Sequence, residues 1–127
     1  MIVVDASAAV AALLTAGPAR RVLSGEVLHV PHLVDHEVAS VLRRQVAAGG
    51  ITSAQGWTAL DVWRHLGVSR HPAPALLDRV WELREDLTAY DATCVALAEA
   101  LDCALLTADA RISRAPGVRC PVTVVPG

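Results

Sequence analysis

Two short apolar runs, each closed by an acid, constrain this chain more than any other feature. Ile2-Val3-Val4 leads directly into Asp5, and Cys103-Ala104-Leu105-Leu106-Thr107 reaches Asp109 after a single alanine. Continuous apolar runs of that length suit strands buried on both faces, the habit of parallel sheets. Between them, helical patterns alternate with short strands. That order predicts an open α/β sheet, in which ligands gather beyond the carboxyl ends of the strands, so that Asp5 and Asp109 point into one crevice.

The full expected order is as follows. A strand at Ile2–Val4 feeds a helix over Ala6–Leu14, which Gly17-Pro18 breaks before a second short helix around Ala19–Leu23. A strand at Val27–Val30 precedes a helix bracketed by Pro31 and Gly49-Gly50, and Ser53 caps another that carries Trp57, Leu60 and Trp63 on one side. A brief strand at Val68–Arg70 is followed by a helix from Pro74, with Leu76, Leu77, Val80 and Trp81 as its apolar face. Asp91 then opens a helix over Ala92–Leu101, and the strand ending at Thr107 and a last one at Val122–Val125 complete the chain. With no repeat, linker or low-complexity tract, residues 1–127 read as one domain, with 54% apolar residues to build its core.

Two further acids belong on apolar helix borders. Val34, Val38, Val41 and Leu42 recur with a period near 3.6, and Glu37 lies one turn from Leu33, Val34 and Val41. Asp91 shares its side with Cys94, Val95 and Ala98, whereas Glu99 is expected to face water. A lone carboxylate is costly to bury, so acids on such faces imply a cation or a cluster of donors for company. Asp5, Glu37, Asp91 and Asp109 together predict a cation site.

Composition removes several classes of function. The formal charge is −2, which excludes a broadly basic nucleic-acid-binding surface while leaving room for a local stripe of arginines. Every basic residue is arginine. Without lysine there is no P-loop phosphate contact and no Schiff base, and receiver domains and haloacid-dehalogenase-like phosphatases lose a residue they normally use. Cys94, Cys103 and Cys120 are too few and too scattered for a disulfide framework or a zinc ribbon, which fits a reducing cytoplasm. The N-terminal stretch carries Asp5 and lacks a basic start, so it reads as strand and helix and not as a signal peptide. No run reaches the roughly 20 apolar residues a bilayer requires, and no membrane association is expected.

Four segments carry a family resemblance: Val3-Val4-Asp5-Ala6-Ser7-Ala8, Pro31-His32-Leu33 with Glu37-Val38-Ala39, Tyr90-Asp91-Ala92, and Leu106-Thr107-Ala108-Asp109. In this order and at these intervals the chain resembles PIN-domain ribonucleases, and within them it is most similar to VapC-type toxins of bacterial toxin-antitoxin pairs. The resemblance implies a PIN-like, Rossmann-like three-layer fold with a central, mainly parallel sheet flanked by helices. It further implies a magnesium- or manganese-dependent endoribonuclease, active as a homodimer on RNA and inhibited by a cognate VapB-type antitoxin. Asp5, Glu37, Asp91 and Asp109 match the acidic quartet, and Ser7 and Thr107 match hydroxyl positions beside it. Arg111 and Ile112 stand where some relatives have another acid or amide.

In-line phosphodiester hydrolysis needs an activated water and neutralisation of developing charge, and hard oxygen-bound cations supply both. Asp5, Asp91 and Asp109 are accordingly expected as direct or water-bridged ligands. Glu37 is expected to position the attacking water or act as its base, and Ser7 and Thr107 to orient the carboxylates. Plainer readings stand beside these. Asp5 suits a cap of the first helix, Asp109 a turn or cap residue, Thr88-Ala89-Tyr90-Asp91 fits a capping box, and Glu37 suits a helix-border pair with Arg44. A non-catalytic PIN-like module, whose acidic pocket receives an arginine-bearing protein partner, is the alternative function. His29, His32 and His36 lack an HExxH pattern and an evident third ligand, so zinc hydrolysis is disfavoured. Arg43, Arg44, Arg111 and Arg114 follow the acids closely enough to flank the crevice and hold phosphates, although solvated surface is the commoner role.

Overall fold

Val3, Val4, Leu105 and Leu106 are wholly withdrawn from solvent, as the two apolar runs require. In the computed structural model, which describes residues 1–127, they lie on adjacent central strands. The strands are β1 (Ile2–Val4), β2 (Leu28–Pro31), β3 (Ser69–His71), β4 (Ala104–Thr107) and β5 (Val122–Val124), in the order β3-β2-β1-β4-β5. Every pairing is parallel, and Val4 sits opposite Leu106. The chain winds outward from β1 through β2 to β3, then returns to the other side of β1 for β4 and β5. That reversal opens a crevice at the carboxyl ends of β1 and β4.

Seven helices cover the sheet. They are α1 (Ala6–Leu14), α2 (Pro18–Gly25), α3 (Leu33–Ala47), α4 (Ser53–His65), α5 (Leu77–Glu82, preceded by a 3₁₀ turn at Pro74–Leu76), α6 (Ala89–Ala100) and α7 (Ala110–Ser113). Helix α1 packs on α2, α3 and α4, while α6 lies along β1, β2 and β4 with α5 against it. Right-handed crossovers place these two groups on opposite faces, giving three layers. The α/β architecture expected from the sequence is the one observed. Val34, Val38 and Leu42 form the buried stripe of α3, and Gly49, at φ 79°, lies just beyond the end of that helix.

The sequence pattern misjudged several details for identifiable reasons. Thr52, not Ser53, caps α4: its hydroxyl accepts from the Gln55 N–H at 3.1 Å while Gln55 accepts from the Thr52 N–H at 2.8 Å, a reciprocal capping box. Trp57 and Trp63 do not share a face, since six residues turn a helix well past one revolution. Trp63 is 1% exposed and Trp57 58%. Trp81 is 68% exposed, and Leu76, Val80 and Leu83 bury that part of the chain instead. Helix α6 begins at Ala89 with Thr88 as its cap, so Asp91 stands inside its first turn and does not open it.

Glu99 is the clearest departure from expectation. Its carboxylate accepts from Arg79 Nε at 2.6 Å and from the Arg119 N–H at 2.8 Å, while Arg79 also donates to the Gly117 carbonyl at 2.6 Å. These bonds staple α5, α6 and the segment before β5 together. A second staple centres on Asp35, which accepts from Trp63 Nε1 at 2.8 Å and from Arg70 Nε at 2.7 Å, joining α3, α4 and β3. Charged hydrogen bonds at half-buried positions stabilise more than surface pairs, and removing one partner strands the other. Glu99→Ala should therefore lower the unfolding free energy by about 2 kcal/mol in a urea titration, with exposed Glu85→Ala as a near-neutral control. A Glu99→Ala loss no larger than that of the control would show the staple to be dispensable.

Candidate active site

Asp5 leaves β1 in extended conformation and becomes the N-cap of α1. Although only 6% exposed, its carboxylate is well supplied with donors. Oδ1 accepts from Ser7 Oγ at 2.7 Å and from the Ala8 N–H at 2.9 Å, and Oδ2 accepts from the buried Thr107 hydroxyl at the end of β4. Those hydroxyls accept in turn, Ser7 from the Ala108 N–H at 2.9 Å and Thr107 from the Asp109 N–H at 3.0 Å. One hydrogen-bonded net thus welds the ends of β1 and β4. Burial still pushes the Asp5 carboxyl above its ordinary value, against the opposing effect of these bonds.

Three more acids from three other elements line the same crevice. A cavity of about 300 Å³ is bounded by Asp5, Ser7, Glu37, Arg44, Asp91 and Asp109, together with Ser40 and Tyr90. Glu37 projects from α3; burial first, then the charges of Asp91 and Asp5, raise its carboxyl to about 7. Asp91 is raised by burial and then by Asp5 and Asp109. Its backbone N–H donates to Thr88 Oγ1 at 3.2 Å, but the return bond that would complete a capping box is missing. Asp5, Glu37 and Asp91 form no ion pair. Buried Cys94 lies near all three, and desolvation followed by their charges drives its thiol well above the usual range, an inert setting.

Asp109 differs in kind. It caps α7, and the Arg111 guanidinium grips it at 2.7 Å from Nη2 and 3.0 Å from Nε, holding its carboxyl below the ordinary range. Glu37 forms no ion pair or hydrogen bond with Arg44, whose guanidinium donates instead to Ser40 Oγ at 3.0 Å. Arg43 lies along the groove between α3 and α4, away from the crevice. His29 finds a partner in His71, at 2.9 Å, and not in His32 or His36.

The donor set suits a hard cation. All four acids offer oxygen, and in Asp5, Glu37 and Asp91 burial and neighbouring carboxylates raise the proton affinity with no ion pair to any of the three, the condition that a divalent ion corrects. No three acidic, histidine or cysteine side chains close up into a compact ligand cage. Ser40 and Tyr90 are the lining residues that sequence reasoning left unassigned. Their positions, one turn after Glu37 and immediately before Asp91, were the available signal.

Comparisons with known proteins agree with this architecture. The profile of the PIN domain family matches residues 2–118. Ribonuclease VapC9 of Mycobacterium tuberculosis is 57% identical over 126 residues, 99% of either chain. Among solved structures, the Mycobacterium tuberculosis toxin VapC20, described as cleaving the sarcin-ricin loop, superposes with a TM-score of 0.67 at 20% identity, covering 91% of this chain and 95% of that one. The Rickettsia felis VapBC2 complex, solved on a DNA fragment from its promoter, gives a TM-score of 0.70 at 14% identity, covering 97% and 98%. Matched by the family profile over most of its length and 57% identical to a VapC ribonuclease across nearly all of it, the chain belongs to the PIN domain family, among its VapC-type members.

Proposed function

We propose that this protein is a magnesium- or manganese-dependent endoribonuclease, the toxin of a type II toxin-antitoxin pair. The observation that carries this reading is the convergence of Asp5, Glu37, Asp91 and Asp109 on one crevice at the switch point of the sheet. The full-length similarity to proteins named VapC ribonucleases supports RNA as substrate and a VapB-type antitoxin as partner. The further reading is of a homodimer in the cytoplasm; no helix is long and apolar enough to cross a membrane. Exposed Trp57 offers an apolar contact for the antitoxin or for a second copy of the chain.

A bound magnesium or manganese ion supplies charge neutralisation on the phosphoryl and leaving oxygens and makes water a better nucleophile. Asp5, Asp91 and Asp109 are the residues that would hold it, directly or through water. Asp5 keeps a fixed direction because Ser7 and Thr107 donate to it, which makes those two hydroxyls positioning residues. Glu37, titrating near neutrality, is matched to accepting a proton from the attacking water. Arg44, in the cavity wall, offers positive charge to a substrate phosphate.

The choice of test residue follows from the bonding. Replacing Asp5 uncaps α1 and cuts the link to β4, whereas the Asp91 side chain can be neutralised without disturbing the Thr88 cap. Purified Asp91→Asn should keep its metal-free fold and lose cleavage of a mixed pool of structured RNAs by about a hundredfold or more, as expected when a ligand to a charge-neutralising ion is removed. Cleavage by the unaltered protein should depend on magnesium or manganese and stop with a chelator. Intact RNA from folded wild-type protein would favour the non-catalytic binding module instead.

The raised Glu37 carboxyl also has a consequence for stability. Its native state binds a proton that the unfolded chain releases above about pH 4.5, so this group's contribution is present at low pH and is lost as pH rises toward 7. Metal-free protein should thus lose stability across that window. Glu37→Gln should remove the loss and be more stable at pH 8 by about 1–2 kcal/mol, allowing for solvent screening. Parallel pH profiles of the two proteins in urea denaturation would contradict this.

A further inference from the structure

Three arginine–carboxylate forks occur in the protein, and they differ in what they join. Arg70–Asp35 spans 35 residues and Arg79–Glu99 spans 20, and each ties separate elements through additional bonds. Arg111–Asp109 spans two residues within one turn and ties nothing. The Arg111 side chain is 83% exposed and its guanidinium has no hydrogen-bond partner other than Asp109. Buried Ile112 and the bond from the Arg111 N–H to Asp109 Oδ1, at 3.0 Å, fix the backbone independently of the guanidinium. Releasing the fork would leave α7 in place, so the effect of the fork falls on the crevice, where it cancels the charge of one acid while the other three stand unpaired.

We propose that Arg111 is an internal counter-cation, which holds Asp109 until a divalent ion takes that carboxylate and then turns to an RNA phosphate, coupling ion binding to substrate binding. The inference rests on the reading of the crevice as a cation site. Nε and Nη2 of Arg111 lie across both Asp109 oxygens, at distances from 2.7 to 3.2 Å, so an ion approaching that carboxylate competes with the guanidinium for the same lone pairs. The freed fork is planar, permanently charged and anchored at the crevice mouth, which suits bidentate contact with a phosphate. Because coupling between two ligands is reciprocal, RNA that draws Arg111 away must also tighten the ion's hold.

Manganese binding followed by calorimetry and by electron paramagnetic resonance tests this without relying on turnover. Arg111→Gln should bind manganese about fivefold more tightly than wild type at low salt, the modest size expected of an exposed pair. Arg114→Gln removes the same charge one turn later without touching the fork, and should change affinity by less than half as much. Adding a non-cleavable DNA oligonucleotide should tighten manganese binding in wild type and in Arg114→Gln, but not in Arg111→Gln. Equal effects of the two substitutions, or the same oligonucleotide response in all three folded proteins, would overturn the role of Arg111 alone. Absence of manganese binding in every protein would overturn the cation-site reading and this proposal with it.

Discussion

The buried carboxylate of Asp5 is the joint on which the working end of the sheet depends. Removing a carboxylate from water is costly, and the cost is tolerable here because three donors from two distant parts of the chain converge on it. Those donors belong to the first turn of α1 and to the last residue of β4, so satisfying the charge also fixes how β1, α1 and β4 meet. Ser7 and Thr107 extend the constraint, each accepting from the backbone that leads to Asp109. The geometry of the crevice is therefore set by hydrogen bonding beneath it, before any ligand arrives.

Above that joint the electrostatics run the other way. Glu37 and Asp91 come from different helices; Asp91 and Asp5 raise the proton affinity of Glu37, and Asp5 and Asp109 raise that of Asp91. The fold holds like charges close enough to repel, although an apolar or amide residue at Glu37 would relieve the strain. Arrangements that lower stability at one place and are compensated elsewhere are characteristic of sites that act on a ligand. The compensation is visible in the uninterrupted apolar core under the sheet and in the staples at Asp35 and Glu99, which lie away from the crevice.

Most of the fold and the four acids of the crevice were legible because their signals are local. Apolar runs of strand length, a period of 3.6 in α3, and Gly-Pro or Gly-Gly breaks specify elements without reference to distant residues. The features that escaped are those fixed by partners far along the chain. Glu99 occupies a helix position that predicts exposure, yet Arg79 and the Arg119 backbone turn it inward. Nothing near Trp63 indicates that Asp35 will receive its indole N–H. The four-residue helix α7 was missed because a single turn has no periodicity to read, and Arg111 was read as a phosphate contact or solvated surface when it is the one basic group bound to the acidic cluster.

Capping and functional readings of the acids also prove to be compatible, for a physical reason. The N-terminus of a helix provides unpaired N–H groups and a favourable dipole, making it the place where a carboxylate is buried at least cost. Asp5 caps α1, Asp109 caps α7, and Asp91 stands in the first turn of α6. Glu37 alone lies well inside its helix, beyond the first turn of α3, where no unpaired N–H is within reach. It is also the acid whose carboxyl is raised to about 7. Three acids lie where the backbone supports negative charge and the fourth where it does not, and that difference separates groups suited to staying ionised around a cation from the one suited to gaining and losing a proton.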